Sequence, residues 1–85
     1  MSQPNMKNLL DQNYDWPQDY NFKFVVKAFQ LKKLTAILQD DFTLKQRPSR
    51  NGNYISVTAT RCMKSSDEVL EIYNQVQDIE GIISL

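Results

Sequence analysis

Phe42-Thr43-Leu44-Lys45-Gln46-Arg47-Pro48-Ser49-Arg50-Asn51-Gly52-Asn53-Tyr54-Ile55-Ser56-Val57-Thr58-Ala59-Thr60-Arg61-Cys62 is the stretch that decides the fold. Its two arms alternate apolar and polar residues, the period of strands with one buried face. The first arm, 42–47, stops at Pro48, which has no N–H for a ladder and so suits the end of an edge strand. Between the arms lies Asn51-Gly52, a pair that favours a type I′ hairpin turn because both central positions need positive φ. The second arm, 54–62, is rich in β-branched residues, with Ile55, Val57 and Ala59 expected inward and Tyr54, Ser56, Thr58 and Thr60 outward.

Upstream, Tyr20, Phe22, Phe24, Val26 and Ala28 alternate with Asn21, Lys23, Val25, Lys27 and Phe29, which predicts a strand over 20–29. Leu31, Leu34, Ile37 and Leu38 then recur at helical spacing, with Lys32, Lys33 and Gln39 on other sides. Downstream, Ser65 and Glu68 have capping-box spacing, and Val69, Ile72, Tyr73 and Val76 make the apolar stripe of a second helix ending near Gln77. Gly81 breaks that pattern and Ile82-Ile83-Ser84-Leu85 reads as a terminal strand. The resulting order, βαββαβ, predicts a ferredoxin-like α+β two-layer sandwich, a four-stranded antiparallel sheet with both helices on one face. Residues 1–17 are expected to be a partly ordered leader, ending at Trp16-Pro17 and containing a helical turn over Asn5–Leu10; 18–85 form the single domain.

Size and composition narrow the function. With 85 residues the chain builds one core, and 41% apolar, 24% charged residues and nine aromatics are ordinary for a folded protein. A single cysteine, Cys62, rules out an internal disulfide, and no apolar run approaches the ~20 residues of a membrane helix. The start of the chain lacks an export pattern, so a cytoplasmic location away from the membrane is expected. There is no histidine, and Cys62 has no visible base to activate it; it reads as a small residue closing a strand. Asp40 with Asp41 and Asp78 with Glu80 read as solvated acids, and neither soft-metal nor calcium-loop spacing occurs. No catalytic residue, cofactor or metal site is expected.

Charge is segregated along the chain although the total is zero. Residues 23–64 hold nine Lys and Arg against Asp40 and Asp41, a local +7, whereas 65–85 carry five acids and no cation. If the inward residues of the strands face the helices, the opposite sheet face gathers Lys23, Lys27, Lys45 and Arg47 with Tyr54, Ser56, Thr58 and Thr60. Together with Arg50 and Asn51 of the turn, Lys23, Lys27, Lys45, Arg47, Tyr54 and Thr58 form the candidate contact surface. Protein contact is the leading expectation, including homodimer pairing through an exposed sheet edge. Nucleic-acid binding through the same cations is a weaker one, because the aromatics Phe29 and Tyr54 fall near strand ends and the Lys/Arg-Gly-aromatic pattern of RNA-recognition strands is missing. Arg47 and Arg50 flank a turn that suits an anion, but without a helix N-terminus or Walker pattern nearby plain turn chemistry is the expected reading there.

Pro48-Ser49, Gly52-Asn53-Tyr54, Ser56-Val57 and the Ser65-to-Glu68 helix start, with the earlier Trp16-Pro17 and Phe22-Lys23-Phe24, resemble the YbeD-like family of short bacterial proteins of unknown function. The resemblance spans 16–85. It implies a ferredoxin-like fold similar to ACT domains, small regulatory modules that bind amino acids or pair between subunits, and so a small-molecule sensor is an alternative to the protein-contact reading. Two departures stand out: Val26 where the family often has glycine, and a shorter first-helix region before Phe42. Ala28-Phe29-Gln30-Leu31 also lacks a glycine that would let a ligand approach the backbone.

Overall fold

The computed structural model describes residues 6–85. Helix α1 (Met6–Asn13) precedes β1 (Gln18–Lys27), a 3-10 turn (Ala28–Gln30), α2 (Leu31–Leu38), β2 (Thr43–Pro48), β3 (Tyr54–Met63), α3 (Ser66–Val76) and β4 (Ile83–Ser84). The strands form one antiparallel sheet in the order β2-β3-β1-β4, the order of a ferredoxin-like α+β sandwich. As expected from Pro48, β2 is an edge strand.

Alternation builds the core. Phe22, Phe24 and Val26 of β1 and Val57, Ala59 and Met63 of β3 are fully buried beneath Leu34 and Leu38 of α2 and Val69, Ile72 and Val76 of α3. An aromatic chain runs through this layer: the Tyr20 and Phe22 rings lie 4.7 Å apart edge-on, Phe22 and Tyr73 5.2 Å apart, and Phe22 and Phe42 5.8 Å apart. The Tyr20 and Tyr73 hydroxyls share a hydrogen bond of 3.1 Å, so the polar end of each ring is satisfied. Burial, with that hydrogen bond second, pushes the Tyr73 phenol well above its usual range.

The cap of α3 forms as its spacing predicts, with one difference. Ser65 Oγ accepts from the Glu68 amide at 3.2 Å, but Glu68 Oε1 accepts from the Lys64 amide at 3.1 Å and from Arg61 Nη2 at 3.3 Å instead of closing the box on Ser65. Arg61 also lies 3.8 Å from Asp41 and stacks 4.7 Å from the Phe42 ring centroid, which ties α3 to the start of β2.

Three boundaries differ from the sequence reading. First, β1 begins at Gln18 and ends at Lys27, two residues earlier than expected, because pairing with β3 continues to Gln18↔Met63. At its other end the Ala28 amide donates to the Asn53 carbonyl at 2.9 Å and the chain then turns into the 3-10 segment, so Phe29 leaves the sheet. Second, the hairpin turn is not type I′: Gly52 (φ 78) has positive φ and Asn51 does not. The Gly52 amide donates to Ser49 O at 3.0 Å, and Asn51 Oδ1 accepts from the Asn53 amide at 3.1 Å and from Ser49 Oγ at 3.0 Å. Asn51 thus serves the turn through its side chain, leaving Gly52 alone in the left-handed region.

Third, the leader is more than one turn of helix. Asn5 lies outside the described residues, but α1 runs from Met6 to Asn13 and packs on α3. Leu10 enters the core, while Lys7 Nζ donates to Asp67 Oδ1 at 3.0 Å and to buried Ser66 Oγ at 3.1 Å. Hydrogen bonds from Ser66 and from Trp16 Nε1 hold the Asp11 carboxyl below its ordinary range, and the bond to Asp67 raises the Lys7 ammonium. These contacts provide the tertiary support that so short a helix requires.

Candidate functional site

The face of the sheet away from the helices is built in cross-strand rows, because residues on one face recur every second position and strands lie ~4.8 Å apart. From one end the rows are Asp19–Cys62, Asn21–Thr60–Thr43, Lys23–Thr58–Lys45, Val25–Ser56–Arg47 and Lys27–Tyr54. On the β4 side Ile83 pairs with Val25, and the Leu85 amide donates to Lys23 O at 2.9 Å. The character of the face therefore changes along the strands. It is polar at the Asp19 end, cationic in the middle, and aromatic at the hairpin end.

Six of the eight sequence-selected residues meet on this surface: Lys23, Lys27, Lys45, Arg47, Tyr54 and Thr58. Arg50 and Asn51 stand apart at the tip of the β2–β3 turn. The amides of Ser49, Gly52, Asn53 and Tyr54 are all bonded within that turn, which leaves few backbone donors for an anion there.

Two shallow hollows interrupt the face. The first, about 390 Å³, is lined by Lys23, Lys45, Gln46, Arg47, Ser56 and Thr58. The second, about 420 Å³, lies at the hairpin end between Lys27, Phe29, Gly52 and Tyr54. Phe29, 76% exposed, and Tyr54, 42% exposed, flank it, and Ile83 and Leu85 add further exposed apolar surface along β4. The alternation over 20–29 places Phe29 in a strand, whereas it lies in the 3-10 turn, and that alternation does not fix the direction of Ile83 or Leu85. Their direction follows from how far β4 runs past Gly81, which no local spacing encodes.

Some cations are paired and others are not; Lys32 and Lys33 on α2 make no ion pair among the described residues. In the helix layer Lys7 and Arg61 are both engaged, with Asp11, Asp67, Asp41 and Glu68. On the open face, Lys23, Lys27, Lys45 and Arg47 make no ion pair among the described residues. The acids Asp67, Glu68 and Glu71 sit on α3, where Glu68 pairs with Arg61 of the basic stretch. Cys62 is exposed on the open face beside Asp19. Among the described residues no group of His, Cys, Asp or Glu has metal-site geometry, and no helix is long and apolar enough to cross a membrane.

No solved structure matches the chain significantly. A relative described as a UPF0250 protein, from Shewanella halifaxensis (strain HAW-EB4), is 30% identical over 78 residues, covering 85% of this chain and 89% of that protein. Neither its description nor that of the matching family names a reaction. The family model, a protein of unknown function (DUF493), matches residues 11–85, in keeping with the YbeD-like pattern of the hairpin and helix start. The chain belongs to the DUF493 family of proteins of unknown function.

Proposed function

We propose that the protein is a non-enzymatic cytoplasmic binding module that docks an acidic segment of a partner protein on its open sheet face. The observation that carries this reading is the set of four cations, Lys23, Lys27, Lys45 and Arg47, which share one helix-free surface and have no ion-pair partner among the described residues. Rows of cations speed encounter with an acidic partner and exclude basic ones. The exposed Phe29 and Tyr54 beside them supply an aromatic anchor of the kind that dominates contact energies.

Affinity capture from cell lysate tests the reading, using the wild-type protein, a Lys23→Glu/Lys45→Glu/Arg47→Glu variant, and a Lys32→Glu/Lys33→Glu variant reversing exposed cations on α2. The expected result is a specific partner that survives RNase, is retained by the α2 variant, and is lost from the sheet-face variant while circular dichroism stays native. A partner retained by the sheet-face variant, or one that disappears with RNase, overturns the reading.

A further inference from the structure

The middle of the open face is an unbalanced donor set. Thr58 lies between Lys23 and Lys45 in one row, and Ser56 adjoins Arg47 in the next. All five line the same hollow of about 390 Å³. Strand spacing places the Lys23 and Lys45 backbones roughly 10 Å apart, so ammonium groups on four-carbon stems can converge above Thr58. The half-buried Ser56 and Thr58 hydroxyls have no hydrogen-bond partner among the described residues, whereas the neighbouring Thr60 hydroxyl donates to Asn21 Oδ1 at 2.7 Å. Three cations and two free hydroxyls thus surround one space into which no carboxylate points. A carboxylate would leave most of this charge unanswered. A phosphomonoester brings about −1.5 to −2 charge and three acceptor oxygens, and a guanidinium can grip two of them at once.

We propose that Lys23, Lys45 and Arg47, with the hydroxyls of Ser56 and Thr58, form a binding site for a phosphomonoester group. This deepens the docking reading, and rests on it only in requiring that the same face be accessible. The phosphate has two possible carriers, a small phosphorylated metabolite or a phosphorylated side chain on the partner segment. The donors are the same for both.

The test is an NMR titration of the full chain at constant ionic strength with inorganic phosphate, free phosphoserine, and an acidic peptide with and without one phosphoserine. The expected result is saturable shifts centred on Lys45, Arg47, Ser56 and Thr58. Each of Lys45→Gln and Arg47→Gln should weaken phosphate binding at least about tenfold, the effect of losing one charge-assisted hydrogen bond. Lys32→Gln, which removes an equal charge from the exposed side of α2, should change it less than about twofold. Phosphopeptide binding much tighter than free phosphoserine assigns the phosphate to a partner; equal binding assigns it to a small ligand. Linear, unsaturable shifts, or equal loss in Lys32→Gln and Lys45→Gln, overturn the site. Partner capture that persists without phosphate binding would overturn this inference and leave the docking reading standing. Phosphate binding without any captured partner would do the reverse.

Discussion

The two faces of the sheet are made from the same strands, residue by residue in alternation, and they obey different rules. Phe22, Phe24, Val57 and Ala59 point one way and are fully excluded from water. Lys23, Val25, Ser56 and Thr58 point the other way and remain accessible. On the covered face the half-buried polar groups are matched: Tyr20 with Tyr73, and Arg61 with Glu68. On the open face the four cations are not. A fold needs its buried groups satisfied, since an unpaired one costs about 1–3 kcal/mol. It has no such requirement of groups in water, so an unmatched solvent-facing set is the part of the molecule free to serve a partner.

The sharpest way to break this contrast is to truncate adjacent residues of β1. Phe24→Ala should cost about 3–5 kcal/mol, a large share of the roughly 4–12 kcal/mol expected for an 85-residue domain. Lys23→Ala, one residue away, should stay within about 0.5 kcal/mol. Urea denaturation of both variants measures this directly. Similar losses at the two positions would mean that the open face is structurally committed and has little left for binding.

A smaller effect tests the link between the layers. Gln39, which closes α2 before β2, has φ 62 and ψ −169, a region essentially reserved for glycine. Its amide still donates to Thr35 O at 2.9 Å, so the conformation is held by the end of the helix. Gln39→Gly should stabilise the protein by about 1 kcal/mol, because relief of strain outweighs the added freedom of the unfolded chain. A lower urea midpoint for this variant would show that the Gln39 side chain contributes more than its backbone costs.

How much of this was legible follows from the range of the signals. Strand parity, the helical stripes, the edge character of β2 and the Ser65 cap were readable because each is set by residues within a few positions of one another. The shared face of Lys23, Thr58 and Lys45 was readable from strand parity, but their meeting in one row depends on the cross-strand register. What escaped depends on distant contacts or on backbone state. Docking of α1 requires Lys7 to meet Ser66 and Asp67 some 60 positions away. The Asn51-Gly52 pair permits a type I′ turn, yet Asn51 is more useful here as an acceptor for the Asn53 amide. The exposure of Phe29 depends on β1 ending at Lys27, which the Ala28–Asn53 bond determines.

The smallest effect separates stability from function on the open face itself. Lys23 and Lys45 flank Thr58 on backbones about 10 Å apart, and two like charges at that separation repel by about 0.4 kcal/mol in water. Lys45→Glu converts that repulsion into attraction. Stability should therefore be unchanged or higher by a few tenths of a kcal/mol at low salt. The gain should vanish near 1 M salt, where the screening length is about 3 Å. The same substitution places a negative charge in the hollow, so phosphate binding should be abolished. A variant that is at least as stable but no longer binds would show that Lys45 is kept against a small energetic cost to the fold. If Lys45→Glu instead lost more than about 1 kcal/mol, the row would be a structural feature of the sheet, and the asymmetry between the two faces would carry no functional meaning.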